Sequence, residues 1–255
     1  MRHAAHCPCI HLGGPSGRER VCAGGNALEP RLNGILSQLS HDELQWLLPS
    51  LQMVSLSKNQ VLFAPGQLMD HYLFPVSGVI ALSIALDDGN VGDTAMVDRD
   101  SMYPLHLIGT LQSPNTATVK VPGLCYKVPA QVFHDLLQRS RRLIWVLLSM
   151  LARQFEKSTL ESVCLRHHTL QQITAKLILI SMDQAQSSEL VLTHEEMANA
   201  IGARREGVSL ALKEFKSRKM IGMRRGSVRV LDRAGIESLS CECYKTLQCI
   251  EMSGT

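Results

Sequence analysis

Residues 192–233 read LTHEEMANAIGARREGVSLALKEFKSRKMIGMRRGSVRVLDR, and this stretch decides the fold of the C-terminal part of the chain. Thr193 is followed three residues later by Glu196, a capping box in which hydroxyl and carboxylate satisfy the amides left open at a helix start. A helix is therefore expected there, with Met197, Ala198 and Ile201 on its buried side, and Gly202 lets the chain reverse. A second helix follows from about Arg204, with Val208, Leu212 and Phe215 inward at spacings of four and three. Residues 220–224 and 228–231 read as short strands around Arg225-Gly226-Ser227. Two short helices across a tight turn, followed by a hairpin, form a winged helix-turn-helix.

Charge gives this segment a partner. Residues 203–233 hold ten basic side chains and three acidic ones, an excess of seven in a chain whose formal net charge is only +3. So local a surplus points to double-stranded DNA rather than to a generally basic protein. On the second helix Arg205, Glu206, Ser209 and Lys213 can line the groove side. Arg205 matches the guanine O6 and N7 edge, and Glu206 can accept from cytosine N4. Ser209 and Lys213 can reach a base edge and a phosphate, while Arg224, Arg225 and Arg229 on the hairpin suit phosphates, which set affinity without reading sequence.

Working outward, the 255 residues, 45% of them hydrophobic, suffice for one large domain or two ordinary ones. No apolar run has the length of a membrane span; the densest, 143–151, is short and bracketed by arginines. Residues 1–20 contain no apolar core of a secretory signal, and the eight cysteines form no regular framework, so a cytoplasmic protein with thiols is expected. An enzyme is not expected: there is no glycine-rich phosphate loop, metalloprotease motif or nucleophile elbow, and Asp87, Asp88, Asp93, Asp98 and Asp100 read as turns and solvated strand ends.

The rest of the chain divides by period. Residues 1–29, rich in Gly, Pro, His, Cys and Arg, read as a flexible tail without a core. Leu32, Ile35, Leu36 and Leu39 mark a short helix, and Ser40 with Glu43 caps another. Strand-like runs at 53–56, 61–63, 72–74, 79–86 and 116–121, separated by Gly, Pro and Asn turns, indicate an antiparallel barrel or jelly roll within a sensor domain at 30–138. Residues 139–166 read as a long helix with an apolar stripe of Ile144, Leu147, Leu148, Leu151 and Phe155. That stripe packs either on its own β domain or on a second copy as a dimer spine. Residues 167–255 complete the DNA-binding domain, making the fold class α+β.

Three stretches carry a family likeness: 61–66 with 72–78, 192–198 with 204–208, and 224–233. With them the chain, from about Arg31 to Tyr244, resembles the Crp/Fnr superfamily of bacterial transcription regulators. The resemblance implies a cyclic-nucleotide-binding type β-roll, a long dimerisation helix and a winged helix-turn-helix. It also implies a homodimer on a near-palindromic operator, with RNA polymerase as a further partner. The family's base-reading Arg-Glu pair falls on Arg205 and Glu206. Where the cyclic-AMP receptor has a further arginine one turn on, this chain has Leu210, which suits a thymine methyl. That receptor's phosphate-binding arginine and Gly-Glu pair are replaced near Ser113-Pro114-Asn115-Thr116-Ala117-Thr118 and Tyr103-Pro104-Leu105. An anionic phosphate buried without a cation is disfavoured, so cyclic AMP is not the expected effector.

The effector and any cofactor stay open. The oxygen-sensing branch of the family holds an iron–sulfur cluster on three N-terminal cysteines and one from the β domain. Cys7, Cys9, Cys22 and Cys125 match in number, though gaps of one and twelve residues depart from the usual spacing. Zinc on His3, His6, Cys7, Cys9 and His11, and haem on His71, His106 or Cys125, are chemically possible alternatives for a redox- or metal-sensing regulator. Cys241 and Cys243, on or beside the last helix, are expected to point to different sides, chelate badly together, and serve as packing or redox thiols.

Overall fold

The structure, a computed structural model, describes residues 29–89, 91–105, 112–185, 187–224 and 226–252. The chain enters through α1 (Gly34–Ser37) and α2 (His41–Leu47). Asn33 fixes this entry. Fully buried, it accepts from the amides of Ile35 and Leu36 and donates to the carbonyls of Pro75, Arg99 and Ser101 at 2.9 Å each. Ser40 and Glu43 form the expected capping box at the start of α2.

Seven strands follow: β1 (Gln52–Leu56), β2 (Val61–Phe63), β3 (His71–Pro75), β4 (Val79–Ala85), β5 (Val91–Val97), β6 (Thr116–Val121) and β7 (Gly123–Pro129). They form two antiparallel sheets, ordered β1-β7-β3 and β2-β6-β4-β5. Phe63, Leu73, Ile80, Leu82, Val119 and Cys125 fill one core between them. From the other face of the three-stranded sheet, Tyr72, Phe74, Tyr126 and Val128 meet α1, α2, α3 (Ala130–Arg139) and α4 (Arg141–His167). Covered on both faces, β3 is apolar almost throughout instead of alternating. Strands β5 and β7 come in addition to the runs expected from sequence. Asp93, expected among solvated strand ends, instead has its side chain nearly buried on β5, 3.6 Å from Lys120.

Two glycines fix how these strands turn. A Cβ on Gly123 would lie 2.2 Å from the Ser77 carbonyl oxygen, and one on Gly78, whose φ is +83°, would lie 2.6 Å from that of Val121. Gly123→Val is therefore expected to cost about 3 kcal/mol through backbone displacement. Gly89→Ala, with φ +83° but open space around it, should cost only about 1–2 kcal/mol. Equal urea midpoints for the two variants would contradict this packing.

The long helix α4 carries two apolar faces, not one. Leu143, Leu147 and Met150 are buried against the β domain, while Ile144, Trp145, Leu148 and Phe155 are exposed. Of the expected stripe, Leu147 thus belongs to the intramolecular contact and Leu151 packs partly against it, whereas Ile144, Leu148 and Phe155 are exposed.

The C-terminal part comprises α5 (Leu170–Ala185), β8 (Glu189–Leu190), α6 (His194–Ala200), α7 (Arg205–Ser217), β9 (Ile221–Arg224), β10 (Ser227–Val230), α8 (Arg233–Leu239) and α9 (Cys243–Met252). Its own core unites Ile173, Ile178, Leu179, Met197, Val208, Leu212, Phe215, Ile221, Val228 and Ile236. The hairpin gains β8 as a third strand, in the order β8-β10-β9. Cys241 lies between α8 and α9 rather than on a helix, so the rule for positions two apart on a helix does not govern it. Both Cys241 and Cys243 turn inward toward Cys164 and His168, correcting the expectation that they diverge.

Candidate nucleic-acid interface

Thr193 and Glu196 close the expected capping box on α6, and Gly202 takes φ +60° in the turn. Burial alone would push the Glu196 carboxyl up; the bonds from Thr193 and the charge of Lys58 outweigh it and hold it below the usual range. Arg204 is the extended N-cap of α7. Val208, Leu212 and Phe215 face the core, and Arg205, Glu206, Leu210 and Lys213 face outward. Leu210 is 65% exposed, an apolar side chain presented to solvent from an otherwise charged face. Glu206 and Arg205 stand side by side in the first turn, and neither forms an ion pair among the described residues.

A groove of about 490 Å³ runs between this helix start and the hairpin, lined by Thr193, His194, Arg205, Arg224, Gly226 and Ser227. Such a groove, lined by Arg205 and Arg224, can receive a phosphate strand while α7 lies against base edges.

Not every expected contact residue is free to serve. The Ser209 hydroxyl donates to the Arg205 carbonyl at 2.8 Å and lies 2.8 Å from His194 Nδ1. It braces the first turn of α7 and ties it to α6, a role that spacing alone does not reveal. Arg229 lies 3.3 Å from the Glu189 carboxylate. Arg233, counted in the basic surplus, is held by Asp183 and Glu237, and Arg218 by Glu214. Arg224 stays exposed with no such pairing among the described residues. Arg225 falls outside the described residues, as do Cys7, Cys9, Cys22, His3, His6, His11 and His106.

Both described metal or haem candidates of the sensor end, Cys125 and His71, bond protein partners. Cys125 is wholly buried between the sheets, where burial pushes its thiol up to about 12, and its Sγ–H donates to the Tyr126 carbonyl. His71 bonds Asp70 and stacks on Phe63. Tyr103, in the stretch that replaces the cyclic-AMP receptor's Gly-Glu pair, is buried against Phe63, with its hydroxyl 2.7 Å from Ser113 Oγ.

Residues 141–239 match the model of the Crp-like helix-turn-helix domain, and residues 53–140 match that of the cyclic nucleotide-binding domain. The chain belongs to the Crp/Fnr family. A candidate transcriptional regulator of that family from Eubacterium rectale superposes with a TM-score of 0.68 at 19% identity, over 82% of this chain and 98% of that one. FixK2 from Bradyrhizobium japonicum gives 0.64 at 14%, over 75% and 98%. CLP from Xanthomonas campestris, a c-di-GMP responsive global regulator, gives 0.64 at 13%, over 75% and 99%. No curated protein sequence matches the chain. The Crp/Fnr family consists of transcriptional regulators, not enzymes, and this member has the β-sheet domain, long helix and helix-turn-helix in family order. Among its described residues no helix is long and apolar enough to cross a membrane.

Proposed function

We propose that this Crp/Fnr protein is a cytoplasmic homodimer that reads a near-palindromic operator in double-stranded DNA and controls access of RNA polymerase to it. The observation that carries the reading is the outward Arg205-Glu206 edge at the start of α7, across a groove from Arg224. An acidic side chain beside the arginine favours base reading, because a phosphate binder gains nothing from a carboxylate. Arg204 and Lys213, and Arg225 on the hairpin, supply phosphate contacts, and Leu210 packs on a thymine methyl. Arg229 contributes less, since Glu189 offsets its charge.

Control passes from the β domain to the reading head. Lys58 near β1 reaches the Glu196 carboxylate at 3.3 Å and the Val191 carbonyl at 3.3 Å, so a shift of the sensor changes what holds α6. Such a link biases a population of head orientations. Cyclic AMP is not the signal in this reading, because the chain lacks the phosphate-binding arginine and Gly-Glu pair of the cyclic-AMP receptor.

Selection of bound fragments from randomised duplexes tests the reading. It should return an inverted repeat, and affinity for it should fall about a thousandfold or more between roughly 50 and 200 mM salt. Recovery of no common sequence would reject operator reading.

A further inference from the structure

Outside the DNA-facing surface, four metal-ligating side chains converge where the end of α4 meets the α8–α9 junction. Cys164 on α4, His168 just past its end, Cys241 and Cys243 have all their donor atoms within 4.8 Å of one another. The three cysteines are buried and His168 is partly so. Cys164 Sγ lies 3.6 Å from Cys241 Sγ, and Cys243 Sγ lies 3.8 Å from His168 Nδ1. A tetrahedron with metal–sulfur bonds of about 2.3 Å and a metal–nitrogen bond of about 2.0 Å has edges of roughly 3.5–3.8 Å. These separations therefore already have the size of a coordination shell.

We propose that Cys164, His168, Cys241 and Cys243 form a structural zinc site, closed by four protein ligands, that ties the long helix to the C-terminal pair of helices. Three features beyond the ligands fit this assignment. The His168 amide bonds the Cys164 carbonyl at 3.1 Å, so the last turn of α4 holds both side chains on one face, four residues apart. His168 Nε2 lies 3.2 Å from the Glu242 carboxylate. That bond fixes the proton on Nε2 and leaves Nδ1 as ligand, the arrangement by which an outer carboxylate orients a metal-bound imidazole. Lys176, only 1% exposed, places its ammonium 3.2 Å from Cys164 Sγ and pairs with Glu161. Three thiolates around a divalent ion leave one negative charge, which a buried ammonium offsets.

Thiolate and imidazole donors in a tetrahedral set select zinc over magnesium or calcium, which favour oxygen. The tight convergence on a single point leaves no space for the bridging sulfides of an iron–sulfur cluster between the donors. Cys164 and His168 lie within the helix-turn-helix match at 141–239, and Cys241 and Cys243 just beyond its end. Binding expels one proton from each thiol as its sulfur takes the metal, with no change of oxidation state.

The test uses the full chain purified under reducing conditions in the presence of zinc sulfate. Metal analysis is expected to find about one tightly held zinc per chain, retained in C7S/C9S/C22S and lost in C241S/C243S. X-ray absorption of the wild-type protein, which needs no variant to fold, should show three sulfurs and one nitrogen around the metal; H168C should keep the zinc with four sulfurs. A cobalt-loaded wild type should show thiolate-to-cobalt charge transfer. Zinc that persists in C241S/C243S and leaves with the N-terminal cysteines would overturn the site. So would a wild-type chain that takes up no zinc, or one in which Cys164 and Cys241 are recovered as a disulfide in place of a metal.

Discussion

The double variant L148E/F155E should sediment as a folded monomer where the parent chain sediments as a dimer. Ile144, Leu148, Leu151 and Phe155 follow one another at intervals of four, three and four, the a/d rhythm of a two-helix seam, and three of the four are exposed. Phe155 is 73% exposed, far more than a phenylalanine keeps without a partner surface, and Trp145 widens the same face. In a symmetric pair each substitution acts twice. Four large apolar side chains leave the interface at about 2 kcal/mol each, roughly 8 kcal/mol before the glutamates repel one another. Since 1.4 kcal/mol is tenfold, the dimer should weaken by roughly five to six powers of ten. The contrast residue is adjacent. Leu147 is fully buried against Tyr72, Phe133 and their neighbours, so L147E should unfold the β domain rather than release a folded monomer. Velocity sedimentation with circular dichroism separates the two results. A dimer that survives both glutamates would place the seam elsewhere.

Which features can be read from sequence depends on how local their causes are. Thr193 with Glu196 and Ser40 with Glu43 are boxes closed within four residues, and both caps form as their spacing requires. The inward positions Val208, Leu212 and Phe215 likewise follow from helix geometry alone. β5 is hidden because Val91-Gly92-Asp93-Thr94 reads as polar and turn-like; only Lys120, on a strand beside β4, makes Asp93 tolerable inside. The long helix is legible as apolar, but assigning its residues to two faces needs the β domain in place. Ser209 and Arg229 are neutral or basic groove candidates by spacing, and long-range partners, His194 and Glu189, redirect both. The Cys164 group is the least legible. Cys164 and His168, four apart, are a signal available on α4, yet their partners lie more than seventy residues away and only folding brings them together.

R205A should remove sequence discrimination while leaving a protein that still binds DNA. A bidentate arginine–guanine pair contributes about 1–3 kcal/mol of discrimination, and a dimer makes it in both half-sites. Operator affinity should therefore fall by about 2–6 kcal/mol, from roughly thirtyfold to more than ten-thousandfold. Binding to scrambled duplex should change far less, because the arginines and lysines on the phosphates remain. Nothing in the fold is expected to suffer: Arg205 is exposed, and the brace at this turn uses its backbone carbonyl, not its side chain. R224A should behave differently, weakening operator and scrambled DNA alike and lowering the slope of log affinity against log salt by about one for each phosphate no longer neutralised. R229A should also weaken both, because its removal leaves the Glu189 carboxylate unpaired near the phosphates, but it should change the salt slope little, since Arg229 is already engaged by Glu189. Competition binding at two salt concentrations distinguishes all three. If R205A and R224A weaken operator and scrambled DNA in the same proportion, Arg205 is a phosphate ligand, and the Glu206 carboxylate beside it would then need another reason to face the groove.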